Sequence, residues 1–144
     1  MSRHELRPGH DGAGHRIAIV AARFNEAYVR RMVDAALEVL RGRGVGNDAV
    51  HVSWVPGSYE LPLAAQWVIA RGHVDAVIAF GVVIRGETEH FRLVADAASD
   101  GLMRVMLDTG VPVVNGVLAV HDADQAAERT GGELGNRGAD AALA

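Results

Sequence analysis

Cysteine is absent from the 144 residues, which excludes disulfides, a thiolate nucleophile and thiolate-bound metals together. Lysine is absent as well, since all 14 basic residues are arginine. No lysine Schiff base to pyridoxal phosphate and no P-loop of the usual type can be built from such a chain. Aromatic residues are scarce, at 5%, so the core is expected to be aliphatic. Positive charge is in deficit: the formal net charge is −4 and no basic patch stands out. A duplex-binding function would lack its electrostatic drive, and no nucleic-acid partner is expected. No segment approaches the roughly 20 apolar residues of a membrane span. The longest aliphatic run, Val74 to Ile84, is broken by Asp75 and Gly81. These absences predict a soluble, cytoplasmic protein without a membrane partner.

What is present is an ordinary globular balance, 49% hydrophobic and 22% charged. The length suits a single domain, since domains cluster near roughly 100–150 residues. Residues 1–15 are polar, hold no apolar segment long enough for a secretory signal, and are expected to form a flexible N-terminal arm. Residues 16–144 are expected to form the domain.

From Arg16 onward, short apolar runs alternate with helical spacing. Ile17 to Ala21 is a continuous apolar run, as in a strand covered on both faces. Asn25 stands at an expected N-cap, and Val29, Met32, Val33, Ala36, Leu37 and Leu40 recur at helical spacing up to Gly42 and Gly44. Val50 to Val55 predicts a second strand, Leu61 to Ala70 a helix, and Ala76 to Gly81 a third strand. Thr88 is expected to cap a long helix reaching about Asp108. Pro112 to Leu118 predicts a fourth strand, and short helices are expected near Ala123 to Arg129 and from about Gly138. This order implies an α/β fold with a parallel sheet between helices and right-handed crossovers. Ligands in such folds sit beyond the carboxyl ends of the strands, so the loops after Ala22, Val55, Gly81 and Leu118 should form the site.

Those loops hold the unusual residues. Phe24 can plug the helix–sheet interface or stack on a flat ligand. Glu60 can serve the dipole of the helix it precedes or a ligand. Ser58 and Tyr59 add hydrogen-bonding groups and a second ring at the same edge. Gly86 frees the backbone and Thr88 opens a helix, whose free N–H groups suit a phosphate. His90 follows in the first turn, either as a surface residue or as a proton-transfer group. The other histidines form no ligand pattern, so no metal is expected. Asn115 lies in the fourth strand. Arg129 is either a helix C-terminal cation or, if it faces the Gly86–Thr88 loop, a bidentate phosphate clamp. Arg137 sits in Gly135-Asn136-Arg137-Gly138.

Read together, these segments resemble the lumazine synthase family. The likeness runs from about Arg16 to the C-terminus through Arg23-Phe24-Asn25, Pro56-Gly57-Ser58-Tyr59-Glu60-Leu61-Pro62, Gly116-Val117-Leu118 and Gly135-Asn136-Arg137-Gly138. Its most specific part is Gly81-Val82-Val83-Ile84-Arg85-Gly86-Glu87-Thr88-Glu89-His90-Phe91. The resemblance implies a flavodoxin-like three-layer α/β/α sandwich with a four-stranded parallel sheet. It also implies a transferase of riboflavin biosynthesis that condenses 5-amino-6-(D-ribitylamino)uracil with 3,4-dihydroxy-2-butanone 4-phosphate. The products are 6,7-dimethyl-8-ribityllumazine, phosphate and water. In that family the imine forms between the two substrates, so the lack of lysine is compatible with the chemistry, and no cofactor is required.

By the same resemblance, Phe24 stacks on the pyrimidine while Asn25, Ser58 and Glu60 hold the ribityl chain and its neighbouring atoms, with Tyr59 a further substrate-binding residue at that edge. The backbone of Val82, Val83 and Ile84 reads the uracil edge. Gly86, Glu87 and Thr88 form the phosphate loop, Arg129 clamps the phosphate, and His90 shuttles protons. Asn115 and Arg137 are expected from an adjacent subunit of a pentamer. The short Gly131 to Asn136 connection resembles that of members whose pentamers build icosahedral shells, and riboflavin synthase is an implied partner. Arg137 stands where most members carry lysine, Asn115 where many carry an aromatic, and Arg92 where an acid is common. A non-catalytic flavin or lumazine carrier, or a weakly active paralogue on the same fold, is the rival reading.

Overall fold

Alternation along the apolar runs decides which layer each side chain enters, because successive side chains of a strand point to opposite faces. β1 (Ile17–Ala22) sends Ile19 and Ala21 one way and Ala18 and Val20 the other. β3 (Ala76–Ile84) divides in the same manner, with Ile78, Phe80 and Val82 opposite Val77 and Ala79. The computed structural model describes residues 3–7 and 9–144. Of the expected arm, Met1, Ser2 and Pro8 therefore lie outside the described residues.

β2 (Val50–Val55) and β4 (Val113–Val120) complete a four-stranded sheet in the order β2-β1-β3-β4, with every pairing parallel. α1 (Glu26–Gly42), α4 (Ala123–Arg129) and α5 (Arg137–Leu143) cover the face that carries Ile19 and Phe80. α2 (Leu61–Ala70) and α3 (His90–Thr109) cover the face of Val20 and Ala79. The result is a flavodoxin-like α/β/α sandwich. With no disulfide available, burial holds it together, at roughly 1.5–3 kcal/mol for each large apolar side chain removed from water.

Several boundaries differ from those expected. β3 continues past Gly81 to Ile84 and β4 past Leu118 to Val120, because Val82, Val83 and Ile84 pair in register with Leu118, Ala119 and Val120. α3 begins at His90 with Glu89 at the N-cap, so Thr88 lies one residue before the cap. Its hydroxyl still accepts the His90 N–H, at 3.4 Å. Asn25 occupies the N-cap position of α1 in the left-handed region (φ 59°) but makes no side-chain cap. The backbone carbonyl of Asn25 instead accepts the N–H groups of Tyr28 and Val29. A small antiparallel hairpin, β5 (Thr130–Gly132) and β6 (Gly135–Asn136), joins α4 to α5 and was not expected from the glycine-rich segment.

On α3, Leu102 and Val105 pack against the chain's own sheet, whereas Leu93, Met103 and Leu107 are exposed. Leu63 and Trp67 of α2 are exposed too, so α2 and α3 together carry apolar side chains with no partner in the described chain. No helix among the described residues is long and apolar enough to cross a membrane.

Candidate functional site

The carboxyl ends of β1, β2 and β3 meet in a cavity of about 460 Å³. Two hydrogen bonds lay the β1–α1 loop across the end of β2: the N–H groups of Arg23 and Phe24 donate to the carbonyls of Val55 and Pro56, at 2.8 and 3.0 Å. Phe24 is thereby held over the turn after β2, and its ring is 72% exposed. A buried plug would not remain so open, so the ring is free to stack on a ligand.

The turn after β2 supplies Ser58, Tyr59 and Glu60 to the cavity. One Glu60 carboxylate oxygen accepts the Gly57 N–H at 3.0 Å, which fixes the turn. Ser58 is only 4% exposed, and its hydroxyl makes no hydrogen bond within the described chain. Among the described residues no fully enclosed side-chain oxygen lacks a partner, so this hydroxyl opens onto the cavity, where water or a ligand can pair with it. Ser58 fits there because Gly81 has no side chain: a β-carbon on Gly81 would collide with the serine hydroxyl.

Val82, Val83 and Ile84 line the opposite wall, followed by Gly86, Thr88 and His90. The N–H groups of Gly86, Glu87 and Thr88 donate to no backbone acceptor in the described chain. These unpaired donors lie just before the Glu89 N-cap of α3, beyond the positive end of its dipole, and favour an anion. His90 is exposed at the cavity edge. Phe91 and Val94 also line the cavity, although neither was singled out from sequence. For Val94 the signal was helical spacing from His90, which puts it one turn further along the same face; Phe91 closes the Gly81 to Phe91 segment.

The remaining expected residues are not in this cavity. Glu87 lies in the loop with its side chain exposed and does not line the wall. The Asn25 amide donates to the carbonyl of Val82 at 2.7 Å, tying the β1–α1 loop to β3 behind the wall. Arg129 does not reach the Gly86–Thr88 loop. Its Nη1 donates to the Gln125 carbonyl at 3.1 Å, one turn back on α4, and lies 3.5 Å from Glu128. Arg129 lines a second cleft, of about 400 Å³, together with Asn115, Arg137 and Asp140. Asp140 was not identified from sequence; it stands one turn after Arg137 on α5. No arginine is among the described residues that line the first cavity. Among the described residues, no three His, Asp or Glu side chains converge as a metal site.

Residues 14–144 match the family model described as 6,7-dimethyl-8-ribityllumazine synthase. A 6,7-dimethyl-8-ribityllumazine synthase of Halorhodospira halophila is 50% identical over 128 residues, covering 89% of this chain and 82% of the relative. One of Xanthomonas euvesicatoria is 49% identical over 129 residues, covering 90% of this chain and 84% of the relative. A third, of Thermus thermophilus, is 48% identical over 136 residues, with 94% and 87% covered.

Proposed function

This chain belongs to the 6,7-dimethyl-8-ribityllumazine synthase family, and on that premise we propose that it catalyses the last condensation before riboflavin. In this step 5-amino-6-(D-ribitylamino)uracil and 3,4-dihydroxy-2-butanone 4-phosphate give 6,7-dimethyl-8-ribityllumazine, phosphate and water. The primary amine of the pyrimidine adds to the ketone and water leaves, forming an imine between the substrates. Loss of a proton from the adjacent carbon lets phosphate depart and leaves an enol, which tautomerises to a ketone. The ribityl-bearing nitrogen then adds to that ketone and a second water leaves as the ring closes.

The division of chemical labour between two separate clefts carries this reading. Among the described residues, the first cavity has the exposed ring of Phe24, the hydroxyl of Ser58 and the free N–H groups of Gly86 and Thr88, with Glu87 beside them in the loop, but no arginine. The second has Arg129 and Arg137 but no ring. A phosphate monoester and a flat pyrimidine need both halves. The two halves come together when the second cleft of one subunit faces the first cavity of the next, as in a cyclic pentamer.

In that arrangement Phe24 stacks on the pyrimidine, Ser58 and Glu60 hold the ribityl side beside Tyr59, Asn25 acts from outside the cavity by holding the Val82 carbonyl, and the backbone of Val82, Val83 and Ile84 reads the uracil edge. Gly86, Glu87 and Thr88 receive the phosphate, which Arg129 of the neighbour clamps while its Asn115 and Arg137 close the pocket. His90 moves the protons. Holding two reactants in attack geometry can supply roughly 7–11 kcal/mol of the barrier. The exposed apolar residues of α2 and α3 are where ring neighbours would dock, and closed shells of pentamers, with riboflavin synthase as a companion, extend the same assembly. Residues 16–144 form the working domain, in the cytoplasm.

Incubating the protein with both substrates, following lumazine fluorescence and phosphate release together, tests the activity. Stoichiometric formation of both supports it. Binding of a lumazine or flavin without turnover would replace the enzyme with a carrier.

A further inference from the structure

Arg129 ends α4, Arg137 opens α5, and the chain between them is the β5–β6 hairpin. Thr130 pairs with Asn136 in antiparallel register. Arg129, just before that pair, and Arg137, just after it, therefore leave the hairpin side by side at its open end. Both line the second cleft. Glu128, 3.5 Å from Arg129, and Asp140 in the same cleft offset part of the repulsion between the two cations.

The holding contacts converge on Asn136. Its Oδ1 accepts the N–H groups of Gly138 and Ala139, at 2.7 and 3.3 Å, and caps α5. Its Nδ2 donates to the Arg31 carbonyl of α1, at 3.3 Å. Gly138 presses against the same stretch of α1, where a β-carbon would strike the Met32 carbonyl oxygen and lie 2.5 Å from the Met32 Cα. The backbone of Arg137 is thus pinned on both sides while its side chain is exposed. On the other strand, Thr130 is buried and its hydroxyl donates to the Ala126 carbonyl at 2.9 Å, which secures the Arg129 side.

We propose that Asn136 is a positioning residue. By capping α5, pairing with Thr130 and anchoring to α1, it sets the separation of the Arg129 and Arg137 guanidinium groups and hence the affinity of the assembled site for a phosphate dianion. The inference rests on the proposed role of Arg129 as phosphate clamp and extends that role to Arg137, which lines the same cleft. Planar guanidinium forks reward fixed geometry, because each must present paired N–H groups to paired oxygens. A hairpin released at Asn136 would leave both charges present but no longer aligned.

The test uses the assembled protein with inorganic phosphate as the probe, measured by calorimetry, and the KM of each substrate. Asn136→Ala removes the cap and the anchor; Asn136→Ser keeps a neutral cap acceptor and loses only the Arg31 bond. In Asn136→Ala, phosphate affinity and the KM of the phosphorylated butanone should worsen roughly 10–100-fold, the scale of a misplaced binding group. The pyrimidine KM should change far less, and Asn136→Ser should fall between the alanine variant and the natural protein. If Asn136→Ala does not assemble, the partial loss in Asn136→Ser carries the test alone. Unaltered phosphate affinity in the variants that assemble, whatever their melting temperature, overturns the proposal. A natural protein that binds phosphate yet forms no lumazine defeats the activity instead, and leaves the comparison of phosphate affinities decisive for Asn136.

Discussion

The hydroxyl of Ser58 fills the space that a β-carbon on Gly81 would need. The turn after β2 and the middle of β3 are locked together at this point, and the floor of the first cavity follows from a residue with no side chain. Gly81 is fully enclosed in a continuous apolar strand, so its value lies in the close approach it permits.

Gly81→Ala should therefore destabilise the fold by about 1–3 kcal/mol, the usual range for overpacking a filled core. Adding Ser58→Ala should recover most of that loss, because the next atoms, the Ser58 Cβ and Leu61 Cδ1, stand at 3.3 and 3.4 Å. Chemical denaturation of the two single variants and the double variant measures both statements. A loss that Ser58→Ala does not relieve would place the strain elsewhere.

His90→Ala should slow the condensation about 10²–10⁴-fold, the typical worth of positioned acid–base assistance. Its side chain is exposed, so stability should stay within about 0.5 kcal/mol. Single-turnover fluorescence beside a thermal melt separates the two effects, and unchanged turnover would remove His90 from the mechanism.

Arg129→Ala should raise the KM of the phosphorylated butanone about 10–100-fold, as expected for losing a charge-assisted bond, and that of the pyrimidine far less. Arg129→Lys should restore only part, since an ammonium lacks the planar fork. Equal losses for both substrates would mark Arg129 as structural, through its bond to the Gln125 carbonyl.

Mixing subunits tests whether the site is shared. His90→Ala and Arg129→Ala chains, each weakly active alone when the phosphorylated butanone is kept well below its KM, should regain activity when co-assembled in equal amounts. Random mixing in a ring puts an intact His90 opposite an intact Arg129 in about a quarter of the interfaces. No recovery, with mixed rings verified by mass spectrometry, would mean that each subunit works with its own residues only.

Much of the fold was legible because period and punctuation agree. Ile17 to Ala21 and Ala76 to Gly81 read as strands covered on both faces, and Val29, Met32, Val33, Ala36 and Leu40 mark the buried face of α1. The ends were harder. Val82 to Ile84 are apolar whether they form loop or strand, and only pairing with Leu118 to Val120 decides it. The β5–β6 hairpin was illegible because two glycine-rich segments of this kind gain their order from contacts with α1 and α4, not from local preference. At the site, Phe24, Ser58, Glu60, Thr88 and His90 could be grouped from their places after the strands. Arg129 could not, since its direction depends on the end of a short helix and on the hairpin beyond it. Asn25 shows the reverse case: its type suggested a cap, while its left-handed backbone turns the amide to Val82 instead.

Asn115 adds a constraint of a different kind. Its Oδ1 takes the N–H of Val117 at 3.0 Å, and its amide leans 3.4 Å toward the Ser99 hydroxyl of α3. β4 is one of the two outer strands of the sheet, β2 being the other, and there an unclaimed N–H would be an invitation to any stray strand. By answering that donor from within, the chain seals this stretch of its flank against ribbon-like growth. A second strand laid along this flank finds no donor at Val117, and whatever meets the chain here meets side chains rather than an open ladder.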